Sequence, residues 1–311
     1  MSNQIKPNFL IVGAAKSGTT SLYQYIRKHP NIYMPPEKEP MFFVSDIYKK
    51  ISRNDPRHHI ADRAVVSDFD SYLQLFDHSE TGVKKCGEAS AAYLYHYETA
   101  IPKIKKYLGE IKIIIILRNP VDRAFSSYSH LLRDGAEFSS FDEFLEQEEK
   151  RKEENWDILN YPISLGLYHN QVEAYLNAFR HVKTVLLDDL KNNPSQVLNE
   201  IYDFLDVDMI DQIETTKTKK VFNESRAPKS KFLHRILNNP PRFVNVTKRV
   251  LKNILPKGFF HRIKKSLLEK NHTMQKSMNA KTRKKLMNYF KEDILKTQNL
   301  IKKDLSHWVE N

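Results

Sequence analysis

The sequence predicts an α/β fold in which a parallel β-sheet is flanked by helices. Two observations lead to this prediction. Apolar runs of strand length, such as Phe9–Val12 and Ile113–Leu117, are each followed by a polar turn and a helical stretch, which is the alternation typical of βαβ units. In addition, 40% of the 311 residues are hydrophobic, which is enough to cover both faces of a sheet in one large domain.

The first strand leads into a loop with the glycine spacing of a phosphate-binding loop, from Gly13 to Gly18. A Walker loop carries its lysine directly after the second glycine, but Thr19 occupies that position here and the lysine is Lys16, within the loop. A lysine in mid-loop can still reach a phosphate held by backbone N–H groups at the start of the next helix, predicted at Ser21–Lys28. The loop therefore predicts a site for a phosphorylated nucleotide that differs from an ATPase or GTPase site.

A second strand–turn–helix motif begins at Lys112. Its four consecutive isoleucines and a leucine suit a strand, Lys112–Leu117, that is buried on both faces of a parallel sheet. Arg118 stands where this strand ends, at the edge where open α/β sheets bind ligands, and Pro120 suits the first turn of the following helix. Ser126 lies about two turns further on, so it can face the same space as Arg118.

The remaining segments continue the alternation. Further strands are predicted at Asn31–Met34, Val83–Glu88 and Val182–Leu187. We expect residues 45–68 to be irregular, with Arg57 and the two histidines after it at the surface, because adjacent histidines lack the helical spacing of a metal-binding pair. Helices are predicted at Ser71–Phe76, Thr99–Leu108, Phe141–Arg151, Tyr168–Phe179, Pro194–Leu205 and Ala280–Leu305, the last with Leu286, Tyr289, Phe290, Ile294, Leu295 and Ile301 available for one apolar face.

Charge is distributed unevenly along the chain. The net charge is +12, but residues 215–285 contain 21 Lys or Arg and only two acids, so the basic character belongs to one segment. Such a segment could bind nucleic acid, an anionic membrane surface or a polyanionic substrate. The single cysteine, Cys86, excludes an intrachain disulfide and a cysteine-based zinc site. No run approaches the roughly 20 apolar residues of a membrane span, and no signal-type apolar region is present, so we expect a cytoplasmic location.

The two strand–turn–helix motifs resemble those of sulfotransferases, which use 3′-phosphoadenosine 5′-phosphosulfate (PAPS) as the sulfuryl donor. The resemblance implies that Lys16 acts on the leaving-group side and that Arg118 and Ser126 hold the 3′-phosphate. It is strongest over residues 9–43 and 112–130. The residues that it assigns to the 5′-phosphate are Lys16, Ser17, Gly18, Thr19 and Thr20.

The same resemblance suggests a general base. Glu39 matches the glutamate proposed as the base in heparan-type and related bacterial sulfotransferases, where an acid is followed by aromatic residues. Phe42 and Phe43 would lower the dielectric constant around this carboxylate, which suits a base. The family often has histidine where this chain has Met41, so any role of that histidine is lost.

Glu88 is the alternative base, because it ends a predicted strand at the same sheet edge. In the heparan enzymes a lysine follows this glutamate, whereas Ala89 follows it here. Lys85 or a residue of the basic segment could supply the missing charge. Ser90 and Tyr93 keep the rest of the family pattern.

Two later segments also resemble the family. Val221–Phe232 is similar to the late cofactor-binding loop, in which Arg226 and Lys229 are the favoured ligands of the cofactor, although the family's glycine is absent. Asp304–Trp308 is similar to the closing motif, whose tryptophan packs in the core.

The resemblance therefore implies a PAPS-dependent sulfotransferase acting on a hydroxyl, on a carbohydrate by family analogy. One domain would span residues 1–311, with its core at 8–210 and a basic, largely helical elaboration at 211–311 that serves cofactor and acceptor. No metal is expected, because Lys and Arg supply the positive charge that Mg²⁺ supplies in kinases. An anionic membrane surface is a further expected partner, and nucleic acid is not.

Two alternatives stay open at this level. A nucleotide-dependent kinase of a small molecule could use Asp188 and Asp189 to bind Mg²⁺, although Thr19 in the position of the Walker lysine argues against it. A non-catalytic protein could use the basic segment to hold a polyanion or a membrane surface, and it would not need Lys16.

Overall fold

The computed structural model describes residues 5–58, 65–77, 82–209 and 278–310, together with the backbone of two short strands at 226–228 and 272–274. Five strands form one parallel sheet, and they are β1 (Phe9–Gly13), β2 (Ile32–Tyr33), β3 (Lys85–Ala89), β4 (Lys112–Leu117) and β5 (Val182–Leu186). Their order across the sheet is β2-β3-β1-β4-β5. The predicted parallel α/β architecture is confirmed.

Helices connect the strands and cover both faces of the sheet. Short 3₁₀ turns lie at Phe42–Val44, Ile158–Asn160, Ser164–Gly166 and Ser306–Trp308. The helices of the described residues are α1 (Thr19–Ile26), α2 (Ser45–Tyr48), α3 (Phe69–Gln74), α4 (Tyr97–Leu108), α5 (Pro120–Arg133), α6 (Phe141–Glu146), α7 (Glu148–Glu153), α8 (Tyr168–Ala178), α9 (Leu187–Asn192), α10 (Pro194–Phe204) and α11 (Ala280–Ile301).

Strand β4 shows why the sheet lies between two cores. Its side chains alternate across the sheet, and all five apolar residues from Ile113 to Leu117 are fully buried. Ile114 and Ile116 belong to the smaller core, which they share with residues of α1 and α10. Ile113, Ile115 and Leu117 face the larger core, beneath α4, α5, α8 and α11. A strand that is covered on both faces needs a continuous apolar run, as the sequence predicted.

The helix that follows β4 begins where the sequence predicted. Asn119 is its N-cap, and the side-chain oxygen accepts hydrogen bonds from the N–H groups of Val121 (2.9 Å) and Asp122 (3.4 Å). Pro120 occupies the first helical position, where the missing N–H costs nothing. Because the cap and the proline fix the start of α5, they also fix the position of Arg118 immediately before it.

Three details differ from the predictions. The helix expected at Phe141–Arg151 is two helices, α6 and α7, because the chain turns at Gln147 (φ −89°, ψ 9°); Arg151 is thereby buried, donating to the carbonyls of Asn160 (3.3 Å) and Phe144. Residues 45–68 include helix α2. In α11, Leu286, Phe290 and Ile294 are buried as predicted, but Tyr289 and Leu295 are exposed.

The C-terminal residues return to the sheet. Helix α11 packs against α5 and α8, and the Asp293 carboxylate accepts hydrogen bonds from the first N–H groups of α8, at Tyr168 (2.7 Å) and His169 (3.2 Å). Trp308 is buried, as the sequence predicted. Its indole donates to Asp188 (3.3 Å), and its carbonyl accepts from the Asn119 side chain (3.2 Å). The last segment of the chain is thus tied to the start of α5 and to α9.

Candidate active site

The glycine-containing loop runs from the carboxyl end of β1 to α1 and is shaped by close approaches. A Cβ atom on Gly13 would lie 2.4 Å from the Leu94 side chain, and one on Gly18 would lie 2.6 Å from that of Leu187. Gly18 also has a φ of +96° and precedes α1 as a cap with no side chain. The first N–H groups of α1 therefore have no side-chain cap and are available to accept an anion as ligand.

Lys16 and Ser17 lie at the tip of this loop. Lys16 adopts a φ of +65°. The Ser17 hydroxyl is buried beside Tyr168 and makes no hydrogen bond of ordinary geometry to described residues. Thr19 is buried and Thr20 is half-buried at the first turn of α1. A buried hydroxyl without a regular partner, next to free N–H groups, is suited to accommodate an anionic oxygen.

Arg118 joins the two sequence motifs. Its Nη1 donates to the carbonyl oxygen of Lys16 at 3.2 Å, across 102 residues of chain. Burial lowers the pKa of the Arg118 guanidinium, while nearby Asp122, Tyr168 and Asp188 raise it. The Arg118 carbonyl accepts from the Tyr168 hydroxyl at 2.9 Å. The predicted meeting of the two motifs at one sheet edge is therefore present in the structure.

Ser126 and the backbone of Arg226, two further residues predicted to bind the cofactor, lie on or beside α5. Ser126 is half-buried on α5, one turn after Asp122. Strand β6 (Arg226–Pro228) pairs antiparallel with β7 (His272–Met274) and contacts α5. The backbone of Arg226 therefore lies beside the helix that carries Ser126. The Arg226 side chain and Lys229 lie outside the described residues.

Lys16 has an unusual electrostatic environment. Burial lowers its pKa to about 7, helped by the positive charges of Arg133 and Arg57 and opposed by Asp134 and Glu39. A lysine with a pKa near neutrality is found where a side chain is partly desolvated near like charges. Such an environment is common in catalytic sites.

These neighbours form what we call the Asp134 cluster, made of Arg57, His130, Arg133 and Asp134. The Asp134 carboxylate contacts Arg57 Nη1 at 3.1 Å, His130 Nε2 at 3.4 Å and Arg133 Nε at 3.7 Å. Burial, Lys16, Arg133 and Arg57 together lower the pKa of His130 to about 2, so its imidazole is neutral near pH 7.

The Asp134 cluster was not predicted from the sequence, and one of its members was predicted in the wrong environment. Arg57 was expected at the surface, but only 13% of its side chain is exposed, because it pairs with Asp134 and with Asp157 (3.6 Å). For His130 and Asp134, the sequence does contain a signal, which is their spacing along a predicted helix. His130 and Asp134 continue the helical spacing of four residues that starts at Ser126 on α5, so a reading along that helix face would have found them.

Glu39 is close enough to Lys16 for its charge to raise the pKa of that lysine, but its carboxylate is not in an apolar environment. Its carboxylate pairs with the Lys38 ammonium and keeps 36% of its side chain exposed. Its backbone N–H donates to the Ala89 carbonyl at 3.2 Å, which ties this segment to the end of β3. The rings of Phe42 and Phe43, which we expected to surround the carboxylate, instead pack in the core against Tyr72, with centroid distances of 4.8 and 5.4 Å.

Glu88 is the buried one of the two candidate bases. It is 1% exposed and accepts a hydrogen bond from Ser90 Oγ at 2.9 Å, and the Ser90 oxygen accepts in turn from the Met41 N–H at 3.2 Å. Burial raises the pKa of Glu88 to about 7, against the lowering effect of Ser90, Tyr93 and Lys38. Glu88 is thus linked through Ser90 to the backbone of the loop that carries Glu39.

The positive charge beside Glu88 does not come from Lys85, as the sequence suggested it could. Lys85 begins β3, at the opposite end of the strand, and pairs with Asp206 at 3.1 Å. Within the described residues, Lys38 is the lysine close enough to affect Glu88. Lys38 belongs to the loop that carries Glu39, not to β3.

A comparison with known proteins decides between the alternatives left open by the sequence. A profile of the sulfotransferase family matches residues 7–211. The chain belongs to the sulfotransferase family. A crystal structure of a sulfotransferase from Alicyclobacillus acidocaldarius is 31% identical, with 98% of this chain and 99% of that chain covered and a TM-score of 0.73.

Curated relatives give the same family. The membrane-associated sulfotransferase kil1 of Dictyostelium discoideum is 25% identical, covering 66% of this chain and 57% of that protein. The human bifunctional heparan sulfate N-deacetylase/N-sulfotransferase 3 is 28% identical, covering 65% and 22%. Mouse carbohydrate sulfotransferase 15 is 25% identical, covering 73% and 48%. The matched part is thus between about a fifth and just over half of each of these relatives.

The comparisons also correct two expectations. The kinase alternative is wrong, and the structure shows Asp188 bound to Trp308 and Asp189 paired with Lys303 at 3.4 Å. The cytoplasmic location expected from the sequence is contradicted by the kil1 sulfotransferase, which is membrane-associated. No described helix is long and apolar enough to cross a membrane, but membrane association does not require such a helix, so the apolar pattern was insufficient to assign a compartment.

Proposed function

We propose that this sulfotransferase moves a sulfuryl group from PAPS to a hydroxyl group of a carbohydrate. The observation that carries the proposal is the hydrogen bond from Arg118 Nη1 to the Lys16 carbonyl. This hydrogen bond brings Arg118 to the loop that carries Lys16 and leads into α1. Both cationic residues therefore lie at the carboxyl edge of a parallel sheet, where such sheets bind nucleotides. Two separate cationic positions suit a nucleotide that carries phosphates on both its 5′ and 3′ sides.

The residues of the loop fit the 5′-phosphate side of this nucleotide. The uncapped start of α1 supplies N–H donors, and the buried Ser17 hydroxyl can form a hydrogen bond to the phosphate. The Ser17 N–H itself is used by the Ala14 carbonyl (3.2 Å), so the proposed donors begin at Gly18. Thr19 and Thr20 add hydroxyl groups at the same helix end.

The 3′-phosphate side is proposed to lie along the start of α5. Arg118 is held by its own contact with the loop, and Ser126 lies two turns along the helix. Strand β6 contacts the same helix, which supports the proposed contribution of Arg226; Lys229, proposed alongside it, directly follows that strand in the sequence. A bidentate guanidinium is well matched to a phosphate.

Lys16 is proposed to stabilise the leaving phosphate oxygen. Its pKa of about 7 leaves it only partly protonated without ligand at neutral pH. An anion bound beside it raises that pKa, because an opposite charge favours the protonated form. The ammonium can then offset the negative charge that develops as the bond from sulfur to the phosphate oxygen breaks.

Glu39 is proposed to accept the proton of the acceptor hydroxyl. The acceptor oxygen forms a bond to sulfur, the bond from sulfur to the phosphate oxygen breaks, and the hydroxyl proton goes to the Glu39 carboxylate. Glu39 is preferred over Glu88 because its side chain is partly exposed beside Lys16, whereas Glu88 is buried and already hydrogen-bonded to Ser90.

The carbohydrate acceptor is proposed from the relatives, whose names refer to heparan sulfate and to carbohydrate. A thermal-shift experiment with 3′-phosphoadenosine 5′-phosphate (PAP) tests the donor site. We expect a large stabilisation that needs the 3′-phosphate and is the same with and without Mg²⁺, because a ligand that binds only the folded state raises its melting temperature. Equal stabilisation by AMP and PAP would contradict the proposed 3′-phosphate contacts.

A further inference from the structure

A cavity of about 730 Å³ lies beside the candidate active site. Its walls come from helix α2, from the start of α4 and from residues 155–161. The side chains that shape it are Tyr48, Tyr95, His96, Tyr97, Trp156 and Tyr161. The volume is within the range of small-molecule sites, and none of the proposed catalytic or donor-binding residues lines it.

The cavity shares a wall with the reaction centre. Tyr48 and Asp157 line the cavity, and the Asp157 carboxylate contacts Arg57 Nε at 3.6 Å. Arg57 belongs to the Asp134 cluster and lies close enough to lower the pKa of Lys16. Tyr48 is likewise close enough to Glu39 to be affected by its charge. Tyr48, Asp157 and Arg57 therefore connect the cavity with the surroundings of Lys16 and Glu39.

The walls of the cavity are aromatic with a few polar groups. The rings of Tyr95 and Tyr161 lie 5.9 Å apart, and the Tyr95 and His96 rings meet edge-to-face at 5.0 Å. His96 Nε2 is buried without a hydrogen-bond partner among the described residues. Aromatic faces with isolated hydrogen-bonding atoms suit a ring that is apolar on its faces and carries hydroxyls at its edge.

Charge in the cavity is balanced. Its lining includes three acids and two lysines, and most of these are already paired. Asp46 pairs with Lys103 at 2.6 Å, Asp157 with Arg57, and Lys152 with Glu148 at 3.2 Å. A polyanion would meet no excess of positive charge here, in contrast to the environment of Lys16.

We propose that this cavity binds a neutral sugar ring of the acceptor, next to the sugar that receives the sulfuryl group. This inference rests on the proposed function and deepens it by naming a subsite. Trp156 and Tyr95 would contact the faces of the ring. The subsite would select an acceptor with an uncharged sugar beside the reacting one.

Tryptophan fluorescence tests the inference without turnover. The chain has two tryptophans, and Trp308 is 1% exposed beneath α11, so a ligand in the cavity acts on Trp156 alone. Cellotetraose, maltotetraose and tetra-N-acetylchitotetraose are the neutral probes, and a hyaluronan tetrasaccharide is the anionic one. We expect at least one neutral probe to shift the emission saturably and the anionic one to bind about tenfold more weakly or not at all.

Variants identify the subsite. Trp156→Phe should remove the spectral change, and Trp156→Ala should weaken binding about tenfold by calorimetry. Tyr289→Ala, on the exposed side of α11 (57% exposed), is the matched control and should bind the neutral sugar like the unaltered protein.

Stabilisation by PAP, measured on the same samples, separates the two proposals. If PAP stabilises every variant but no neutral saccharide changes the Trp156 emission, the subsite is refuted and the donor site stands. Tighter binding of the hyaluronan tetrasaccharide through Trp156 would also refute the subsite as a neutral one. If neutral saccharides bind but PAP does not, the cavity stands and the proposed function fails.

Discussion

Replacing Lys16 with methionine should stabilise the unliganded protein while abolishing sulfuryl transfer. Methionine keeps most of the length and apolar stem of the side chain, and it removes the ammonium. The pKa of this lysine falls from 10.5 to about 7 in the folded chain. Folding therefore disfavours the protonated form of Lys16, and the charged ammonium lowers the free energy of unfolding of the unliganded protein.

The size of the cost follows from the pKa. Each tenfold change in the protonation equilibrium corresponds to about 1.4 kcal/mol, so full burial would cost on the order of 5 kcal/mol. Lys16 is only half-buried, and solvent screening reduces this to about 2 kcal/mol. The variant should therefore be more stable than the unaltered protein by about 2 kcal/mol at pH 6.5.

The dependence on pH has a defined sign. Below pH 7 the folded and unfolded chains both hold the Lys16 proton, so the cost is complete. Between about pH 7 and 10.5 the unfolded chain binds more protons, so the stability of the unaltered protein rises with pH and the advantage of the variant shrinks. Urea unfolding of both proteins at pH 6.5 and 9.5 measures this difference, in which the other titrating groups largely cancel.

Lys28→Met is the matched control, because Lys28 is exposed just beyond α1 and its replacement should change stability by less than about 0.5 kcal/mol. PAP should stabilise the unaltered protein more than Lys16→Met, since the bound anion offsets the buried charge. If Lys16→Met is no more stable at pH 6.5, or keeps the same advantage at pH 9.5, the electrostatic account of Lys16 is wrong.

Four further predictions concern the two sides of the site. Arg118→Ala should weaken PAP binding by about 10- to 100-fold but AMP binding far less, by calorimetry, and an equal loss for both would contradict a 3′-phosphate contact. Glu39→Gln should lose turnover yet keep the PAP thermal shift; full activity would exclude Glu39 as the base. Between about pH 4.5 and 7 the raised pKa of Glu88 makes the folded chain bind more protons than the unfolded chain, so the free energy of unfolding falls as the pH rises. Glu88→Gln should remove this fall, and an unchanged pH profile of urea unfolding would contradict the burial of the Glu88 carboxyl. Activity should survive EDTA, and loss restored by Mg²⁺ would contradict catalysis by Lys16 and Arg118 without metal.

The strands and the main loop were predictable because their signals are local. The apolar run of β4 requires cover on both faces wherever it lies in the sheet, and its boundaries agree with the prediction, Lys112–Leu117. Gly18 is needed for a left-handed cap, and Asn119 and Pro120 specify the start of α5 through hydrogen bonds to adjacent residues. Each of these signals acts over a few residues, so a single sequence reveals it.

The Asp134 cluster and the aromatic cavity were not predictable in the same way. Arg57 looked like a surface residue because its partners, Asp134 and Asp157, are far along the chain. The break between α6 and α7 was also missed, because a buried Glu148 accepts hydrogen bonds from the N–H groups of Ile163 (2.5 Å) and Ser164 (2.9 Å). Local helix propensity carries no information about such contacts.

The sequence by itself determined the parallel sheet, the glycine-containing loop and the family resemblance, since apolar periodicity, glycine and proline positions and capping residues act through neighbours in the chain. Only the tertiary structure decided that Glu39 is partly exposed while Glu88 is buried, and that Lys38, not Lys85, lies beside Glu88. The reason is physical: burial and Coulomb energy depend on distances between side chains, and the fold sets those distances when it brings remote segments to one edge of the sheet.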